Sequence, residues 1–140
     1  MTYLLDTNVI SETIKKNPNE CVIQWLSVID ADQYYLSVVS LGEIRKGVEK
    51  LTDPQKKQKI VQWLEIDLVQ QFQGRMISID PNIADKWGYL CSLFPIPAID
   101  ALIAASAIVH NLKLVTRHTK DFEKVLGLEL INPWHHRIDH

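Results

Sequence analysis

Tyr3-Leu4-Leu5-Asp6-Thr7-Asn8-Val9-Ile10-Ser11-Glu12 starts almost at the first residue as an apolar run, stops at an acid, and passes through small polar residues into a helix-compatible pattern. The stretch reads as strand, turn, helix. In alternating α/β domains, ligands and chemistry collect beyond the C-terminal ends of the strands. Asp6 stands at such an end and is the first candidate working residue.

Working outward, Asp6 or Thr7 can cap a short helix that holds Val9 and Ile10 and ends at Lys15-Lys16-Asn17-Pro18. Asn19 can cap a second helix from Glu20 to about Val28, with Val22, Ile23 and Leu26 as its apolar stripe. Tyr34-Tyr35-Leu36-Ser37-Val38-Val39 is aromatic and β-branched, which favours a strand, and Ser40 followed by Glu43 has the capping-box spacing for the next helix. Asp53-Pro54 and Asp80-Pro81 each join a cap to an N1 proline. The first opens a long helix with Ile60, Leu64, Leu68 and Phe72 at i+4 steps, closed by Gly74; the second opens a helix with Ile83, Trp87, Leu90 and Cys91, stopped by Pro95 and Pro97.

Met76-Ile77-Ser78-Ile79 between them can be a short strand. From Ala98 to Val109 an alanine-rich helix follows that should be largely buried, then a strand Lys113-Leu114-Val115-Thr116, a loop to Lys120, a short helix from Asp121 to Leu126 and a last strand Leu128-Glu129-Leu130-Ile131. Strands separated by helices need crossovers and are therefore parallel neighbours. The expected fold class is α/β, a three-layer α/β/α sandwich with a mainly parallel central sheet, over residues 1–132 as a single domain with a polar tail at 133–140. Right-handed crossovers bring the strand C-termini to one edge.

Composition narrows the classes. With 46% apolar and 23% charged residues in 140, the chain has the make-up of one globular domain rather than a disordered or membrane protein. Fifteen Lys and Arg against 17 Asp and Glu give a net charge of −2, so any polyanion must be met by a local basic surface. Cys21 and Cys91 make neither a disulfide framework nor a metal-type spacing. No basic leader precedes a long apolar stretch, and no run approaches the roughly 20 residues a bilayer needs, so the expected place is the cytoplasm with no membrane partner.

Four acids sit at junctions that can meet at the shared sheet edge: Asp6 after the first strand, Glu43 after the second, Asp100 at the start of the alanine-rich helix, and Asp121 shortly beyond Thr116. Converging carboxylates repel unless cations neutralise them, and hard oxygen ligands select Mg²⁺ or Mn²⁺. A divalent ion held there can activate water and orient a phosphodiester. No Walker loop, no Gly-x-Gly-x-x-Gly and no Gly-x-Ser-x-Gly elbow is present. Phosphodiester hydrolysis is the chemistry that remains.

Each acid also has an ordinary structural reading. A helix cap accounts for Asp6, a capping box for Glu43 and a helix-dipole preference for Asp121. Asp100 lies between Ile99 and Ala101 in an apolar helix, where only a first-turn position excuses it. Thr7, Asn8 and Thr116 can supply supporting hydrogen bonds or contact phosphate, and Arg117 can hold a phosphate beside the site; capping and solvation explain the same residues. Trp25, Trp63, Trp87 and Trp134 suit a core or an interface, and His135, His136 and His140 fall in the polar tail.

Taken together, Leu4 to Glu12, Ser40-Leu41-Gly42-Glu43-Ile44-Arg45-Lys46-Gly47, Asp100 to Ala107, and Leu114-Val115-Thr116-Arg117-His118-Thr119-Lys120-Asp121-Phe122 resemble the PIN-domain ribonucleases, specifically the VapC-like toxins of type II toxin–antitoxin modules, including the FitB-like branch. The pieces fall in the family's order and span the chain. The resemblance implies a parallel-sheet sandwich with an acidic pocket at Asp6, Glu43, Asp100 and Asp121, supported by Asn8 and Thr116. It implies a Mg²⁺- or Mn²⁺-dependent endoribonuclease acting on RNA, a homodimer, a cognate antitoxin whose C-terminal segment covers the pocket, and DNA contacted only through that antitoxin. His118 departs from the asparagine that many relatives carry after the arginine.

Two other functions fit parts of this pattern. A PIN-like subunit working mainly within a DNA-binding repressor complex would need its partner to supply the DNA contacts, because no basic or helix-turn-helix signature is present. A phosphotransferase of the haloacid dehalogenase type would need a second acid at position 8, which is Asn8.

Overall fold

The computed structural model describes residues 1–138 and holds a five-stranded, all-parallel sheet in the order β3-β2-β1-β4-β5. The strands are β1 (Tyr3–Leu5), β2 (Tyr34–Ser37), β3 (Met76–Ile77), β4 (Lys113–Val115) and β5 (Leu130–Ile131). The chain walks outward from β1 through β2 to β3, then returns to lay β4 along the other side of β1. The order therefore reverses between β1 and β4, and the crevice beyond their C-terminal ends is where open α/β sheets bind ligands. Asp6 follows β1 and Thr116 follows β4, so both border that crevice.

Side chains alternate across each strand and create two cores. Leu5 and Val115 face a core shared with Val9, Val22, Trp25, Leu68 and Phe72, whereas Leu4 and Leu114 face one shared with Ile83, Leu90, Ile103, Ala104 and Phe122. The first is covered by α1 (Thr7–Thr13), α2 (Glu20–Ser27) and α3 (Val38–Glu49), together with a long helix formed by α4 (Pro54–Gln62), a π-helical stretch Trp63–Leu68 and α5 (Val69–Gln71). The second is covered by α6 (Pro81–Leu93), α7 (Ala98–Val109) and the short α8 (Thr119–Phe122). These are the three layers expected from the alternation of strand and helix.

Most boundaries follow the local chemistry. Asn19 caps α2 through Cys21 and Val22 N–H, Asp53 caps α4 through Gln55 and Lys56 N–H, and Asp80 caps α6 through Ile83 N–H. Gly74 ends the long helix at φ +79°, a conformation that costs glycine least. In α2 the apolar stripe differs from expectation: Ile23 is exposed and Trp25 takes its place in the core, with its ring edge-on to Tyr3 at 5.3 Å.

The second junction also departs from the sequence reading. β2 stops at Ser37, whose side chain caps α3 by accepting the Val39 N–H at 3.1 Å, so Val38 and Val39 are helical and no Ser40–Glu43 capping box forms. The last short helix begins at Thr119, ahead of Asp121, and ends by Phe122 rather than Leu126. At the end of the described chain, Pro133–His135 make a 3₁₀ turn with Pro133 buried and Trp134 packed against the first core, inside the stretch expected to be a polar tail. His140 lies outside the described residues.

Candidate active site

Asp6 is 5% exposed and does two jobs with its two oxygens. Oδ1 accepts the Thr7 N–H at 2.7 Å and begins α1, while Oδ2 accepts the Thr116 hydroxyl at 2.8 Å across the β1–β4 crevice. The Asn8 amide donates to the same Oδ2 and to Thr116 Oγ1, both at 3.3 Å, and the Asn8 carbonyl oxygen accepts the Arg117 N–H at 3.2 Å. Thr116 is fully buried. Its one proton goes to the carboxylate, leaving its lone pairs for Asn8 and for the His118 N–H at 3.1 Å.

Glu43 reaches the crevice from α3. Because the helix begins at Val38, Glu43 lies beyond its first turn and has no capping role. Thr7 Oγ1 donates to its Oε1 at 2.6 Å and lies 2.9 Å from the hydroxyl of buried Ser40. A carboxylate can only accept, so the Thr7 proton belongs to Glu43 and the Ser40 proton fills the shorter chain behind it. Ser40 is a site residue that sequence reasoning missed by assigning it to a cap. The signal the structure supplies is its full burial within α3 with its hydroxyl 2.9 Å from Thr7 Oγ1.

Asp100 is the third residue of α7, a first-turn position that softens its cost in an apolar helix. Burial pushes its carboxyl up to about 6, reinforced by the charges of Asp6, Glu43 and Asp121 and partly opposed by His118. Burial likewise raises Asp6, against the hydrogen bonds from Thr116 and Thr7 that favour its ionised form. These mutual effects draw all four sequence-predicted acids into one electrostatic unit. Asp121, in α8, is the most open of the four.

His118 belongs to this unit, since its charge acts on both Asp6 and Asp100. Arg117 turns elsewhere: its guanidinium lies 5.1 Å over the Trp134 ring and its charge acts on Glu12. Sequence reasoning offered Arg117 as a phosphate contact beside the site and gave His118 no role, whereas in the structure Arg117 stacks on Trp134 and the charge of His118 acts on two of the acids. None of the ion pairs among the described residues involves Asp6, Glu43, Asp100 or Asp121.

The donor set is four hard carboxylates with no paired cation, which suits Mg²⁺ or Mn²⁺ in kind. No group of three His, Cys, Asp or Glu among the described residues already stands at ligating distance, so the acids would have to close on an ion by side-chain rotation. An open groove of about 870 Å³ leads away from Thr7 and Glu43 between α1, α3 and α4. Its floor is apolar, with Ile14, Ile44 and Val48, and Lys16, Lys56 and Lys59 stand along its edge. No helix of the described residues is long and apolar enough to cross a membrane.

Residues 3–127 match the family described as the PIN domain. The chain is 36% identical over 137 residues to Toxin FitB of Neisseria gonorrhoeae, covering 94% of this chain and 98% of that one. It is 31% identical over 136 residues to the VapC ribonuclease Y4jK of Sinorhizobium fredii, covering 94% and 96%. The fold superposes on the crystal structure of FitAcB from Neisseria gonorrhoeae with a TM-score of 0.90 at 36% identity, over 96% of this chain and 99% of that one. It also superposes on VapBC2 from Rickettsia felis bound to a DNA fragment from their promoter, with a TM-score of 0.75 at 28% identity over 94% and 98%.

Proposed function

The chain belongs to the PIN-domain family, and from that membership we propose that it is the toxin of a type II toxin–antitoxin pair, a divalent-metal-dependent endoribonuclease inhibited by a cognate antitoxin. The observation that carries the reading is the placement of acids around one crevice: Asp6 and Glu43 are fixed there by Thr116 and Thr7, and burial together with the charges of Asp6, Glu43 and Asp121 raises the Asp100 carboxyl to about 6. Unpaired acids gathered at a sheet's switch point are costly unless they serve a cation. The names of the relatives, a toxin and a ribonuclease, agree with it.

Asp6, Asp100 and Asp121 would hold Mg²⁺ or Mn²⁺, with Glu43 completing the set or orienting water. The ion would polarise the scissile phosphate and make water a better nucleophile. The chain's own part is pre-organisation. Thr116 and Asn8 fix Asp6 Oδ2, and Thr7 backed by Ser40 fixes Glu43 Oε1, which leaves Glu43 Oε2 to take a proton from attacking water. The groove beyond Glu43 suits an apolar segment of the antitoxin. A cytoplasmic homodimer that meets DNA only through the antitoxin completes the reading.

The VapBC2 relative on promoter DNA favours a second reading, in which the chain serves mainly as a subunit of a repressor complex. The two separate on one experiment. Purified protein should cleave RNA with Mg²⁺ or Mn²⁺ and stop with EDTA, and Asp6→Asn should abolish cleavage while keeping the parental circular dichroism. Cleavage by the folded variant at the parental rate would overturn the nuclease assignment. Absence of metal binding by titration would favour the repressor-subunit reading.

A further inference from the structure

The residues that follow β4 are held one by one. The Thr116 hydroxyl donates to Asp6, Arg117 stacks on Trp134, and the His118 N–H donates to Thr116 Oγ1 at 3.1 Å. The intervening backbone is fastened from both sides. Arg117 N–H donates to Asn8 Oδ1 at 3.2 Å, and the Arg117 carbonyl oxygen accepts the Asn132 amide at 3.3 Å. Asn132 in turn accepts the Trp134 N–H at 3.0 Å and so caps the turn that carries the ring. Trp134 is seated on the first core, on the far side of the sheet from α7 and α8.

The geometry points to Trp134 as a positioning residue of the acid site: by stacking on Arg117, and with Asn132 tying the Arg117 carbonyl, it fixes the loop that presents His118 and Asp121. The inference rests on the acid cluster being the working site. Three observations support it. The stack engages the Arg117 side chain with Trp134, on the far side of the sheet from α7 and α8. Two amide ties flank the same residue. Downstream, Asp121 N–H donates to the His118 carbonyl oxygen at 3.1 Å, so the placement of residue 118 is passed on to Asp121. The rival role for Arg117 is a direct grip on an RNA phosphate through the in-plane N–H donors that stacking leaves free.

The test uses the full chain with Arg117→Ala, Arg117→Lys, Trp134→Ala, Trp134→Phe and the double alanine variant. Two readouts are taken: steady-state RNA cleavage with Mg²⁺, and amide hydrogen exchange at His118 and Asp121 without metal. Each single alanine change should lower kcat by about tenfold or more, as misplacement of site groups does, with KM moved by less than about threefold. The double variant should be no worse than either single one, because both remove one interaction. Trp134→Phe should restore most of kcat, and Arg117→Lys little, since an ammonium lacks the flat face that stacks. Asp121 exchange should quicken in the alanine variants.

A raised KM with unchanged kcat in Arg117→Ala, a salt dependence shallower by about one unit, and a neutral Trp134→Ala would overturn the inference in favour of the phosphate grip. Strictly additive losses would overturn it too. If Trp134→Ala does not fold, Arg117→Ala and Trp134→Phe decide the matter. A parental chain that never cleaves RNA would remove the nuclease reading, while the exchange readout would still decide whether this stack fastens the loop.

Discussion

The hydroxyl of Thr7 donates to Glu43 Oε1 at 2.6 Å, joining the first residue of α1 to a carboxylate on α3 that lies 36 positions away. This single bond turns two separate strand-to-helix junctions into one site. Thr7→Val keeps the shape but removes the donor, and hydrogen bonds to a charged acceptor contribute about 1.5–3 kcal/mol. The variant should stay folded and lose cleavage rate about tenfold, while Thr7→Ser keeps most of it. Rates measured at saturating RNA check this, and an unchanged Thr7→Val rate would remove Thr7 from the site.

Asp100 gives the metal-free protein a pH dependence of stated sign. Its folded carboxyl is raised to about 6 from an ordinary 3.8, so between those values the folded state binds more protons than the unfolded one. Stability must then fall as pH rises through that window. After allowance for solvent screening the effect is of order 1 kcal/mol, or a few degrees in Tm for a chain of this size. Differential scanning calorimetry in EDTA should show Tm declining from pH 5 to pH 7, and Asp100→Asn should flatten the slope. Mg²⁺ should raise Tm at pH 7 in the parent and much less in Asp100→Asn, because the ion binds only the folded state.

The sheet, the helix order and the junction positions of the four acids were legible because each rests on local chemistry. Apolar runs ending in acids mark strand ends, Asp-Pro pairs mark helix starts, and the alanine block Ala98–Val109 appears in the fold with the bounds its pattern suggests. What the sequence hid is tertiary. Ser40 and Glu43 have capping spacing, and only the early end of β2 at Ser37 shows that the cap is elsewhere. Arg117 reads as a phosphate contact of the loop until Trp134, far along the chain, claims its side chain. Ile23 and Trp25 exchange burial because the α2 face is set by Tyr3 and Tyr34, which periodicity alone does not see.

The relocated cap makes a prediction about stability rather than activity. Ser37→Ala removes the acceptor for Val39 N–H at a buried helix start and should cost about 1 kcal/mol or somewhat more. Glu43→Ala, if Glu43 had been half of a capping box, would cost stability as well. With Ser37 as the cap it should leave urea unfolding unchanged or slightly stabilised, since it relieves repulsion within the acid cluster. Parallel unfolding curves of the two variants decide between the two helix starts.

Glu12 makes the opposite pH prediction from Asp100. It is 5% exposed and accepts Lys15 Nζ at 2.9 Å and the N–H of Asn19 at 3.0 Å, the residue that caps α2. Burial pushes its carboxyl up, but the bonds from Lys15 and Asn19, with the charges of Lys15 and Arg117, outweigh that and lower it below the usual carboxylate range. A depressed acid contributes stability above its unfolded pKa and loses it as pH falls through the folded value. The loss therefore sets in below about pH 4, under the window in which Asp100 acts. Glu12→Gln keeps one acceptor and should cost about 1 kcal/mol at pH 7, whereas Glu12→Ala strands the Asn19 N–H and should cost about 2 kcal/mol. Both differences from the parent should shrink as pH is taken from 5 toward 3 in urea unfolding; a Glu12→Ala penalty that stayed constant over that range would mean the carboxylate's charge has no part in joining α1 to α2.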